Sequence, residues 1–135
     1  MKKVLIVVLC FLLTVGCGCN KKDGKKNIKK EKVPFEVNFN LSKEESVDGI
    51  KISNIQVVRD ENGITNYTAT ITNTTSNVYE LNQINLIIKN KKGDKIANLM
   101  GYVGSKIAPD ESRPLNISTD LDLMKGYEIE YEIKK

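Results

Sequence analysis

Between Tyr127 and Ile133 the chain alternates without a break. Tyr127, Ile129, Tyr131 and Ile133 stand on one side, and Glu128, Glu130 and Glu132 on the other. A period of two fits a half-buried β-strand; a helix would scatter those residues around its axis. The same period recurs upstream. Phe35, Val37, Phe39 and Leu41 alternate with polar residues, and so do Ile50 and Ile52. Ile55 and Val57 continue in the opposite phase, so a bulge or break is expected at Ser53-Asn54. Tyr67, Ala69 and Ile71 alternate with threonines; Ile84, Leu86 and Ile88 form a further strand, then residues 96–103, then Leu115 and Ile117.

Turn signals separate these runs. Asp60-Glu61-Asn62-Gly63 is expected to make a tight hairpin in which Asn-Gly supplies the positive φ angles. Asn73 to Asn77 is a polar loop, Lys91-Lys92-Gly93-Asp94 a turn, and Ala108-Pro109-Asp110-Glu111 another. Helix signals are weak: Ser42 to Val47, with Ser42 and Glu45 fitting a capping box, and Asp120 to Lys125, each enough for one turn. The fold class is therefore all-β: an immunoglobulin-like antiparallel β-sandwich of about seven strands over residues 33–135.

What precedes the sandwich differs from it. Met1-Lys2-Lys3, an apolar run from Val4 to Val15 and small residues before Cys17 make a secretory signal peptide of residues 1–16. The run is too short to span a bilayer, which needs about 20 apolar residues. Residues 21–32 hold seven lysines against Asp23 and Glu31, whereas residues 33–135 carry 12 basic and 15 acidic side chains. The overall charge of +4 therefore comes from a basic stalk on an acidic domain, and it does not argue for nucleic-acid binding. The stalk has no apolar periodicity, so residues 17–32 are expected to be a disordered, lysine-rich linker. As a polybasic tract it is either a second membrane anchor or a solubilising spacer, and the spacer is the simpler reading.

Leu13-Thr14-Val15-Gly16-Cys17 resembles the lipobox of a bacterial lipoprotein precursor. The resemblance implies that Cys17, or alternatively Cys19, carries a diacylglycerol thioether and, on its freed amine, a further acyl chain such as palmitate. It implies a chain tethered to the extracytoplasmic face of the cell membrane. Two or more acyl chains anchor stably where one does not. Cys10 would leave with the signal, so the domain has no disulfide, which fits a Gram-positive envelope.

A second resemblance lies inside the domain. Residues 67–73 (a strand ending in Asn73), residues 84–94 (a strand ending in Lys91-Lys92-Gly93-Asp94) and residues 107–112 (a turn around Pro109) are similar to FxLYD-like lipoprotein domains. Here Ala69 stands where glycine is usual and Asp110 replaces the turn glycine. The resemblance implies an extracytoplasmic module and no enzyme class.

Catalytic chemistry finds little to use. Without histidine the commonest general base and metal ligand is missing, and the three cysteines all precede the domain. Gly101 and Gly104 lack the rest of a phosphate-loop pattern. Glu128, Glu130 and Glu132 read as the solvated face of the last strand rather than a glycosidase pair. Asp120 and Asp122 beside Glu111 or Asp110 lack the spacing of a calcium loop. Tyr79 is expected to pack over an open end of the sandwich, and Gly101-Tyr102-Val103-Gly104 to be a bulged strand rather than a binding loop. Aromatic residues are expected mostly on inward positions.

No catalytic, cofactor-binding or metal-binding residue is assigned, and no cofactor. The sequence thus points to a non-catalytic, membrane-anchored lipoprotein whose sandwich binds an envelope or surface protein or a cell-wall polymer, but not nucleic acid. The alternative is an accessory, ligand-binding lipoprotein associated with an envelope transporter.

Overall fold

The alternating segments become eight β-strands in two antiparallel sheets, in a computed structural model that describes residues 34–135. The signal peptide expected at 1–16, Cys17 with its alternative Cys19, and the basic linker of 17–32 lie outside the described residues. The larger sheet holds β1 (Glu36–Val37), β2 (Glu45–Val47), β3 (Ile50–Arg59), β4 (Thr65–Asn73) and β7 (Ser112–Thr119). Its order is β1-β3-β4-β7, with β2 sharing the outer edge of β3. The smaller sheet places β5 (Gln83–Lys89) between β6 (Lys95–Tyr102) and β8 (Glu128–Lys134).

Pairing β4 with β7 and β5 with β8 puts the central strands of the two sheets in an immunoglobulin-like arrangement. Such a sandwich normally adds a last strand beside β8. No described strand occupies that place. The inward residues sort as the period of two demands. Ile52, Val57, Tyr67, Ile71 and Leu115 of one sheet meet Ile84, Leu86, Ile88, Leu99 and Ile129 of the other, all buried. Gly101 faces this seam, where a Cβ would lie 2.5 Å from Leu115 Cδ1 and 2.9 Å from Ile117 Cδ1. It stands in regular register opposite Ile84, so the bulge expected around Gly101 to Gly104 does not form there.

Two hairpins close with the same chemistry. Gly63 N donates to Asp60 O and Asp60 N to Ile64 O, while Asp60 Oδ1 accepts from Asn62 N and Ile64 N. Asn90 repeats every one of these bonds with Gly93, Lys92 and Asp94. Only the glycine has positive φ in each, +81° at Gly63 and +88° at Gly93. These are three-residue loops, a type I turn plus a left-handed residue, not the two-residue Asn-Gly turn that residues 60–63 led us to expect. The side-chain cap favours the longer loop.

The expected bulge in β3 is present. The register shifts between Ser53 and Gln56, and Asn54 takes φ +51°. The expected turn at Ala108 to Glu111 also forms, with Glu111 N bonded to Ala108 O at 3.0 Å and Asp110 at φ +61°.

Three further expectations fail. Phe35 to Leu41 is not a strand beyond Glu36–Val37; Phe39–Leu41 is a single 3₁₀ turn capped by the Asn38 side chain. Asn38 is buried instead of the residues around it, because its amide serves a neighbouring loop. Ser42 to Val47 is not helical. Asp48 and Gly49, at φ +51° and +81°, fold Glu45–Val47 back on Ile50–Ile52 as a hairpin. Asp120 to Lys125 is irregular, closed by Gly126 N to Leu123 O, because Asp122 caps Met124 N and no helical run follows.

Candidate binding surfaces

The carboxylates singled out from the sequence are separated by the fold. Glu111 accepts from Ala108 N at 2.7 Å and from Arg113 Nε at 2.8 Å, which holds its carboxyl below the usual range. Asp122 lies 3.3 Å from Arg59 Nη1, and Glu36 lies 4.0 Å from the same nitrogen. Among the described residues no three such groups converge to hold a metal ion. Glu128, Glu130 and Glu132 do line the outer face of β8. Glu130 pairs with Lys89 on β5, and Glu132 accepts from Asn85 Nδ2 at 3.5 Å.

Beside β8, where a further strand would complete the sandwich, runs a groove of about 380 Å³ between Leu41 to Glu45 and Tyr127 to Tyr131. Its floor leads to a phenol pair: Tyr67 Oη and Tyr131 Oη lie 2.9 Å apart and join the two sheets. Burial pushes the Tyr67 phenol up strongly, with Tyr131 adding to the effect; burial likewise pushes Tyr131 up to about 12. At the rim, burial raises the Glu45 carboxyl and repulsion from Glu128 and Glu130 raises it further. Tyr127, expected inward, is exposed instead with Lys43 Nζ over its ring at 5.4 Å, because β8 begins only at Glu128.

The outer faces of the two sheets contrast. On the larger sheet, β4 and β7 present Asn66, Thr68, Thr72, Ser112, Asn116 and Ser118, none of them charged, with Lys51 of β3 beside Thr72 on the same face. These groups bond to one another across the strands: Thr72 to Ser112 at 2.7 Å and Ser118 to Asn66 at 2.6 Å. Their hydrogen-bonding capacity is partly used within the face.

The smaller sheet presents a stripe of outward residues on β6, Ile96, Asn98, Met100 and Tyr102, apolar except for Asn98, which stands opposite the half-buried Ile87 of β5; Met100 is 52% and Tyr102 72% exposed. From Ile96 to Tyr102, β6 carries no charge and no proline, and no described strand pairs with its outer edge. Edge strands ordinarily carry such guards; β7 has Arg113 and Pro114, and β8 has its glutamates. The glutamate row stands on the other side of β5 from this stripe.

Tyr79 behaves as expected. It is buried, bridges backbone to backbone with Ile107, and has Lys135 Nζ over its ring at 5.1 Å. Tyr102, read from the sequence only as part of a glycine-flanked bulge, proves to be the most exposed member of the stripe. Four of the described aromatic residues, Phe35, Phe39, Tyr102 and Tyr127, are exposed, so they do not lie mostly inward. The alternation of β6 carried that signal: with Ala97 and Leu99 inward, Ile96, Met100 and Tyr102 must face out.

No family model and no curated protein matches the chain. Among solved structures the chain is similar to a DUF1425 family member from Shewanella sp. pv-4. That similarity is 9% identity and a TM-score of 0.41, over 76% of this chain and 96% of that one.

Proposed function

We propose that this protein is a lipid-anchored extracytoplasmic lipoprotein, acylated at Cys17, whose sandwich is a non-catalytic module for binding another envelope or surface protein. The observation that carries the binding reading is β6. An edge strand that carries no charge beyond Lys95 at its start, with Ile96, Met100 and Tyr102 displayed along it, is an aggregation liability unless something covers it. Met and Tyr are also side chains that interface cores favour. The glutamates on β8 and the Lys91-Lys92 turn offer charged neighbours on the same sheet that would set orientation. A protein is favoured over a cell-wall polymer because part of the hydroxyl- and amide-rich face that would suit a glycan, Thr72 with Ser112 and Asn66 with Ser118, is already bonded within itself. The asparagine-ended β4 and the Gly93 and Pro109 turns support kinship with FxLYD-like lipoprotein domains. Asn73 accounts for the first of these: its side chain donates to Asn77 O and Ile107 O and accepts from Thr75 N, tying two loops together.

The test is a crosslinking pull-down from intact cells with the full chain. A specific protein recovered with the wild type and with Asn116→Glu, but lost with Tyr102→Glu, is the expected result. Equal loss with both variants, or recovery unaffected by Tyr102→Glu, would place the contact elsewhere. Acylation is read separately, as the mass of the membrane-extracted protein and its loss in Cys17→Ala.

A further inference from the structure

A different surface carries a second, independent feature. Phe35 is 67% exposed, Val37 39% and Phe39 79%, and they stand together with Val58, which pairs with Val37 across β1 and β3. Two shallow hollows flank Phe39, an apolar one lined by Val37, Ile55 and Val58 and a more polar one lined by Glu36, Asn40 and Met124. Nothing loose holds Phe39 outside. The buried Asn38 amide donates to Leu123 O at 2.8 Å and Gly126 O at 2.9 Å, and its Oδ1 accepts from Asn40 N at 3.0 Å. This network turns Leu41 into the core and Phe39 out of it. A buried polar cap that fixes a phenylalanine in solvent is an expensive arrangement for a residue with nothing to touch.

The sequence indicates what touches it. Seven lysines lie between residues 21 and 32, and the last of them is three residues before Phe35. Basic residues beside exposed aromatic ones are the chemistry of an anionic lipid interface. Lysines gain about 1 kcal/mol each near such a surface, and apolar side chains gain by entering the headgroup boundary. Glu36, between Phe35 and Val37, and Asp122 lie 4.0 Å and 3.3 Å from Arg59 Nη1, so they oppose this less than free charges would.

We propose that Phe35, Val37 and Phe39 form a membrane-contacting edge that lays the domain against an anionic bilayer. The cellular setting rests on the lipid-anchored reading above; the contact itself needs no acyl chain. It would leave the stripe on β6, which belongs to the other sheet, available to a partner.

The chain contains no tryptophan, so Phe39→Trp gives a single reporter at an exposed position. The protein for this test runs from Asn20 to Lys135, unacylated, which keeps the lysines, both sheets and every core residue. Vesicles of phosphatidylglycerol and phosphatidylcholine are compared with phosphatidylcholine alone. With anionic vesicles, the indole emission of the Phe39→Trp variant is expected to shift to the blue and to be quenched by brominated acyl chains. Phe35→Ser with Phe39→Ser is expected to weaken vesicle binding about tenfold or more, with an unchanged unfolding midpoint.

Three results would overturn the proposal. One is vesicle binding with unshifted emission and no effect of the serine substitutions, which would leave the lysines as the whole attraction. A second is no binding to anionic vesicles. A third is a blue shift that grows with protein concentration in the absence of lipid, which would make the patch a contact between copies. Since the protein tested carries no lipid, each of these leaves the acylation at Cys17 to be judged by its own mass measurement.

Discussion

Asn38 Nδ2 donates to the carbonyls of Leu123 and Gly126, and Asn38 Oδ1 caps Asn40 N, so one side chain joins the first turn of the domain to the loop before β8. Removing it loses a cap, worth about 0.5–2 kcal/mol, and leaves buried carbonyls without a donor at about 1–3 kcal/mol. Asn38→Ala is therefore expected to cost about 2–4 kcal/mol in chemical denaturation. Asn38→Asp is expected to cost more, because it keeps the capping oxygen but turns a carboxylate toward those carbonyls. A milder effect for aspartate than for alanine would show that the cap, not the donor, matters. Sequence alone misread this segment. Phe35, Val37, Phe39 and Leu41 alternate perfectly, yet only Leu41 is buried. Periodicity reports what a strand would bury and cannot see a long-range side-chain bond that favours a turn. Asp48-Gly49 was legible by contrast. Its dipeptide is a strong hairpin signal, overlooked in favour of a capping box that the following residues do not extend.

The two sheets meet through apolar contacts and one polar link, Tyr67 of β4 to Tyr131 of β8. Either phenol left alone in the interior would be an unsatisfied polar group, whereas losing both leaves none. Tyr67→Phe and Tyr131→Phe are each expected to cost about 1–3 kcal/mol, and the double substitution clearly less than the sum of the two. Additivity in that cycle would show that the hydroxyls have other partners. The pH dependence has a definite sign. Both phenols ionise less readily when folded than when unfolded, so the unfolded state releases their protons first. Stability is therefore complete below pH about 10 and falls as pH rises beyond it. The last strand, by its unbroken alternation, announced Tyr131 as inward from the sequence. Its partner on β4 was not readable, because strand periodicity gives the side a residue faces but not which residue faces it from the other sheet.

At the scale of the whole molecule, the inside and the outside were legible to different degrees. The core follows from alternation at nearly every strand, and the bulge at Ser53-Asn54 was visible as a phase change. The outer faces were not, since water accepts Thr72, Glu130 and Met100 alike, and only the pairing order shows which of them become neighbours. That order also determines how the domain must hold together. All three cysteines fall at positions 10, 17 and 19, so no disulfide can staple residues 34–135, and the sheets are held by a single buried cluster to which both contribute. Neither sheet has a core of its own: a three-stranded sheet exposing one face gains most of its burial from the sheet opposite. Loss of one sheet should therefore remove the other. Heating or urea is expected to give one transition, coincident by far-ultraviolet circular dichroism and by tyrosine absorbance, with a midpoint that reductant does not move. Two separated transitions would mean that β5, β6 and β8 hold together without β4 and β7. A midpoint lowered by reductant would mean that the amino-terminal cysteines, crosslinking one chain to another, support the fold from outside.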